Sequence, residues 1–172
     1  MDKKLLYRKA YRALDNITPL KYDCGMLCNS KCCSGSTDSG MHLYPGEDLL
    51  LENAADFLSI SYEEFGHSAI HFAVCNGTCE RKYRPLACRI YPLVPFIDTA
   101  DSLHIIEDPR AACTCPLLIL SEYYPINAFF KQRVRSVFQL LIQDPDIRCY
   151  IEDLSDVLRE YSHFLQPFQL PF

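Results

Sequence analysis

The chain has 172 residues, a net charge of -5 and a hydrophobic fraction of 49%. That length and balance suit a single domain with its own core, and the acidic charge gives no whole-chain drive toward nucleic acid or an anionic membrane. The opening residues MDKKLLYRKAYRALD lack the apolar run of a secretory leader, and no apolar run approaches a bilayer span, so the expected compartment is the cytoplasm.

Residues 3–17 predict an amphipathic helix, with Leu6, Ala10, Ala13, Leu14 and Ile17 on one stripe and Pro19 as its stop. Residues 20–44 have no periodicity and hold four cysteines, which reads as a metal-binding loop. Pro45-Gly46-Glu47-Asp48 opens a predicted helix to about Leu58, burying Leu50, Ala54, Phe57 and Leu58. Ser61-Tyr62-Glu63-Glu64 has capping-box spacing and predicts another short helix. Residues 68–75 read as a strand, with Asn76-Gly77 as a hairpin turn.

Residues 79–125, rich in Pro and Cys, read as irregular apart from a short strand from Leu103 to Ile106. Residues 127–143 predict a helix with Phe130, Val134, Val137, Phe138 and Leu141 in one stripe. Asp144-Pro145-Asp146 breaks it, and residues 150–165 predict a last helix with Ile151, Leu154, Leu158, Tyr161 and Leu165 on one face. The expected fold is mainly α, with an irregular cysteine-rich metal-binding core and at most a small β-hairpin. It is read as one domain over residues 1–172, with the metal-binding core at 20–120 and a C-terminal helical hairpin at 126–166.

Ten cysteines are many for a reducing compartment, and they are clustered rather than scattered. The groups are Cys24-x3-Cys28-x3-Cys32-Cys33, then Cys75-x3-Cys79 with Cys88, then Cys113-x-Cys115-Pro116. Short gaps let one turn present several sulfurs to one ion, and thiolate selects zinc or iron–sulfur over magnesium or calcium. Buried apolar packing is the alternative for Cys149 and for one of Cys113 or Cys115. His71, on the strand leading to Cys75, is either a fourth ligand of a Cys3His site or an ordinary core or surface histidine.

Around Cys88, Arg81, Lys82, Arg84 and Arg89 place four cations within nine residues. They compensate a negatively charged thiolate centre, form a solvated basic stretch, or hold an anionic substrate. Arg84, Arg89 and Tyr91 are the candidates for contact with a cofactor or substrate beside the centre.

Three stretches resemble the YkgJ-type cysteine-cluster family, a zinc- or iron-chelating domain. They are the Cys24 to Cys33 group, the 46–58 segment followed by SISYEEF, and CNGTCERKYRPLACRIYPL. The last carries an RPxxCRxYP core at Arg84, Pro85, Cys88, Arg89, Tyr91 and Pro92, and Cys115-Pro116 resembles the family's final Cys-Pro. The resemblance spans residues 20–120 and implies that Cys24, Cys28, Cys32, Cys33, Cys75, Cys79, Cys88 and Cys115 are metal ligands. The first group departs from the family in having three-residue gaps where two are usual. The family carries no general biochemical function; its flagellin lysine N-methylase branch consists of longer chains.

The absence of CxxC knuckles and the vicinal pair Cys32-Cys33 tilt the reading toward iron–sulfur over zinc. The expected function is metal binding. The alternatives are a metalloenzyme modifying a protein or peptide by methylation or redox chemistry, and a structural zinc site in a helical interaction module. The expected partners are a metal ion or cluster and a protein or peptide, with neither nucleic acid nor membrane.

Overall fold

A computed structural model describes residues 2–33, 40–51, 57–78 and 80–165. Helix α1 (Lys3–Ala13) starts at Asp2, whose side chain accepts from the Leu5 amide at 3.3 Å. It stops at Ala13, short of the predicted Ile17, and buries Tyr7 and Tyr11 beside Leu6 and Ala10. Strands β1 (Gly40–His42), β2 (Leu58–Phe65) and β3 (Ser68–Cys75) form an antiparallel sheet in the order β1-β3-β2. Strands β4 (Leu93–Ile97) and β5 (Leu103–Glu107) form a second antiparallel pair. Between and after them lie α2 (Asp48–Leu51), α3 (Leu86–Ile90), α4 (Pro116–Ile119), α5 (Ala128–Leu141) and α6 (Pro145–Leu165).

The expectation of a mainly α chain with at most a small hairpin is therefore corrected: the fold combines helices with two antiparallel sheets. Ser61 to Glu64 lies within β2, not in a helix, because the capping-box spacing there is coincidental and the run pairs along its whole length with β3. The turn joining the two strands is Gly66-His67 rather than Asn76-Gly77. Gly66 sits at φ +56°, the left-handed region that a two-residue hairpin loop requires at its first position. Of the helix expected from Pro45 to Leu58, α2 covers Asp48–Leu51, Phe57 leads into β2, and Ala54 lies outside the described residues. The stretch from 79 to 125, read as irregular apart from a strand at Leu103–Ile106, holds that strand as β5 and also β4, α3 and α4. Pro95 faces Ile105 in a two-stranded ladder, where both strands are edges and a missing amide is tolerated.

The hydrophobic core is not built from cysteines. It joins Leu6, Tyr7 and Leu14 of the N-terminal segment to the α5 stripe (Phe130, Val134, Phe138) and to residues of α6 and β4. Among the described cysteines only Cys115 is buried. The predicted α5 stripe is the buried one, and each such large side chain contributes about 1.5–3 kcal/mol on burial. Helix α6 begins five residues before its predicted start, with Pro145 in the first turn and Asp144 as the cap. The Asp144 carboxylate accepts from the Asp146 and Ile147 amides. Its Ser155 hydroxyl accepts from the Ile97 amide at 2.8 Å, which fixes β4 against the helix. Among the described residues no helix is long and apolar enough to cross a membrane.

Candidate functional site

The cysteine loop follows α1. Asp23 accepts from the Gly25 amide at 2.9 Å and starts a 3-10 turn over Cys24–Leu27. Asn29 and Ser30 then both take left-handed backbone (φ 51° and 53°) before a second 3-10 turn over Lys31–Cys33. Asn tolerates that region through its short polar side chain. The reversal returns Cys32 to the cavity that Cys24 and Cys28 also line.

From a segment distant in sequence, Cys115 arrives at the cap position of α4. It packs in a satellite apolar cluster with Leu20, Ala111 and Leu117, against Cys24 and Tyr91. Cys24, Cys28, Cys32 and Cys115 line one small cavity of about 20 Å3, closed by Tyr91, Pro92 and Thr114. Burial raises the thiols of Cys24 and Cys115, and for Cys115 amide hydrogen bonds from Leu117 and Leu118 oppose the rise. The Cys32 thiol is raised because it donates to Cys33. That bond, aided by the Arg84 charge, holds Cys33 down at about 6.

A larger cavity of about 810 Å3 adjoins this site and shares Cys24 and Cys32 with it. Cys33, Cys88 and Tyr91 also line it. The Cys88 thiol contacts Met41 Sδ at 3.0 Å. Cys75, at the end of β3, lines neither cavity; its sulfur accepts from the Gly77 amide at 3.4 Å. Cys79 lies outside the described residues. Cys113 is exposed and Cys149 half-buried on α6. His71 stands 3.5 Å from Asp48 and edge-on to Tyr62, paired with an acid rather than a thiol.

Arg89, expected near a cofactor, has a buried side chain directed at the backbone. Its Nε donates to the Arg84 carbonyl at 2.8 Å, and its Nη2 donates to the carbonyls of Arg81 and Lys82 at 2.5 and 3.0 Å. This pins the 81–84 segment onto α3. Arg84 and Tyr91 line the larger cavity, and burial raises the Tyr91 phenol.

Glu47 went unrecognised in the sequence, where it counted only as a first-turn acid. It is fully buried, and burial raises its carboxyl, opposed by its hydrogen bonds to Tyr11, Leu86 and Tyr44 and by the Arg89 charge. No sequence signal marks an acid for burial when its partners are a distant phenol and two amides.

The four thiols of the small cavity are soft donors with no carboxylate among them, which fits zinc or iron rather than a hard cation. The volume is close to that of one water-sized sphere and suits a single ion. Among the described residues no group of three or more His, Cys, Asp or Glu side chains is drawn together closely enough to hold an ion. The thiols are gathered around one space rather than closed on one point. Comparison of the chain with protein-family models, with curated proteins and with solved structures finds no match.

Proposed function

We propose that the chain is a metal-binding protein whose thiolate centre is seated on Cys24, Cys28, Cys32 and Cys115, in a reducing compartment such as the cytoplasm. One observation carries the reading: cysteines from two segments far apart in sequence line the same small cavity. A scattered set of buried thiols has no reason to converge in this way. The YkgJ-type resemblance supports the same ligands. Binding would draw the thiols inward, and it would release protons because burial keeps Cys24 and Cys115 protonated in its absence. Cys33 and Cys88, on the adjoining wall, supply the further thiols that a multi-iron cluster needs. When bound, an iron–sulfur cluster supplies one-electron transfer, whereas zinc supplies a fixed crosslink between the loop and α4.

The size of the small cavity favours a second reading, a single zinc ion on the same four thiols. Anaerobic purification with metal and acid-labile sulfide analysis and a visible spectrum separates the two. Iron with sulfide and visible absorption supports the cluster; stoichiometric zinc in a colourless sample supports the zinc site. A metal-free protein that takes up neither on reconstitution would sink both.

A further inference from the structure

We propose that the larger cavity is a binding site for a small organic anion, an aromatic or heterocyclic ring carrying a phosphate or carboxylate. The cavity shares Cys24 and Cys32 with the small thiol cavity, but the proposal is carried by its cations and its size rather than by its thiols. Among the described residues the cavity wall carries five cations, Lys31, Arg81, Arg84, Arg89 and Arg110, against the carboxylates of Asp23 and Asp108. The chain as a whole is acidic, at -5, so this surplus is local and of opposite sign. The cations come from the cysteine loop, the 81–89 stretch and the turn after β5, and only folding brings them together. A solvated basic stretch would have no such convergence.

Their proximity has a cost that an anion offsets. The Arg89 side chain is buried, and Arg81 and Arg84 line the same cavity wall. The Arg89 Nη1 is buried without a hydrogen-bond partner, 3.7 Å from the Asp15 carboxylate. Asp108 is already committed to Arg110, accepting from its Nε and from its Nη2 at 2.7 Å. The remaining acid, Asp23, accepts from the Gly25 amide. A concave wall with a surplus of one sign of charge concentrates ligands of the other sign.

The dimensions and lining set the rest of the ligand. A volume of about 810 Å3 is that of a small-molecule pocket rather than an ion site. Tyr22, Phe72 and Tyr91 add aromatic surface, with Met41 and Val94 beside them. Rings stack on such walls while guanidiniums take the charged head group.

The test is calorimetric titration of phenyl phosphate into the protein as purified, with phenylacetate as the carboxylate arm and benzyl alcohol as the uncharged control. Metal content is measured on the same sample, so failure of the anion site and failure of the metal reading are read separately. The expected result is saturable one-to-one binding of at least one anion, none of benzyl alcohol, and weakening by added salt. Arg84→Gln is expected to weaken binding by about tenfold, the loss of one charge-assisted contact. Lys31→Gln, at an exposed position that does not threaten folding, is expected to weaken it in the same direction. Absence of saturable binding, equal binding of benzyl alcohol, or affinity unchanged in both variants overturns the proposal. In that case the cations serve only the thiols and the backbone.

Discussion

The Tyr11 hydroxyl donates to Glu47 Oε1 at 2.6 Å, with both side chains buried. The same oxygen accepts from the Leu86 amide at 2.6 Å, and Oε2 accepts from the Tyr44 amide at 3.1 Å. The Arg89 guanidinium lies over the Tyr11 ring, 4.4 Å from its centroid. One carboxylate thus ties α1, the turn before α2 and the first residue of α3, and Cys88 follows two residues on. The wall that presents Cys88 to the larger cavity is held by a hydrogen-bond network that reaches back to the N-terminal helix.

Replacing Glu47 by Ala leaves three buried donors without an acceptor. At about 1–3 kcal/mol for each unsatisfied group, partly relieved by relaxation, the expected destabilisation is about 3–5 kcal/mol in urea unfolding. Glu47→Gln keeps an acceptor for Tyr11 and Leu86 but turns an amide donor toward the Tyr44 amide, so its expected cost is smaller, about 1–3 kcal/mol. Equal stability of the two variants would mean that the three bonds do not act through separate oxygens.

Arg89→Lys keeps the charge and loses the fork. Lysine cannot reach three carbonyls spread over residues 81 to 84 from one position, and its compact ammonium stacks less well on Tyr11. The expected cost is about 2 kcal/mol, with earlier proteolysis of the 81–84 segment than in the parent chain. Unchanged cleavage there would show that Arg89 is not what holds the loop.

Much of the scaffold was legible because period alone decides it. The α5 stripe from Phe130 to Leu141 and the β3 span 68–75 follow from apolar spacing. The first sheet was missed because β2 is an edge strand with little burial along it, so its sequence carries no clean alternation to set against the capping-box coincidence. The convergence of Cys115 on the first cysteine group was suggested by residue type and by the family resemblance. The separation of Cys75 from both cavities was not legible, since it depends on where the end of β3 falls. The cation-lined cavity draws on three segments, and local sequence shows only one of them.

The hairpin turn between β2 and β3 is bolted to α6. The His67 amide and Nδ1 both meet the Asp153 carboxylate at 2.8 Å, and that pairing raises the His67 imidazole above its ordinary value. A histidine raised in the folded state stabilises it fully below the unfolded value of about 6.5. The contribution is lost as pH rises through the folded value. Urea midpoints of the parent chain are therefore expected to fall relative to His67→Ala as pH rises above the unfolded value of about 6.5, since the variant keeps the backbone bond to Asp153 and lacks the titrating one. Parallel profiles for the two chains would rule the coupling out.

Gly66 tests the same junction without titration. A Cβ there would lie 2.5 Å from the Asp153 carboxyl carbon, on backbone at φ +56°. Gly66→Ala combines left-handed strain with a clash against a buried acid, and the expected loss is about 1–3 kcal/mol. The signature is a fall in midpoint together with loss of the pH dependence attributed to His67, because the clash displaces Asp153. A fall in midpoint that left the pH dependence intact would separate the turn from the latch.

Cys113 and Cys115 are two residues apart and set the sharpest contrast for the metal proposal. Cys113 is exposed and lines neither cavity, while Cys115 is buried and faces the space shared with Cys24, Cys28 and Cys32. Cys113→Ser is expected to keep full metal occupancy, with stability within about 0.5 kcal/mol of the parent. Cys115→Ser is expected to lose most of the metal, since serine is a poor ligand for soft ions, and to unfold at lower urea because α4 is then no longer crosslinked to the cysteine loop. Cys28→Ser, half-buried on the same cavity, should match it in metal loss at a smaller packing cost. If Cys113→Ser empties the protein as thoroughly as Cys115→Ser, the ligands are drawn from a different set of thiols and the small cavity is only a gap in the packing.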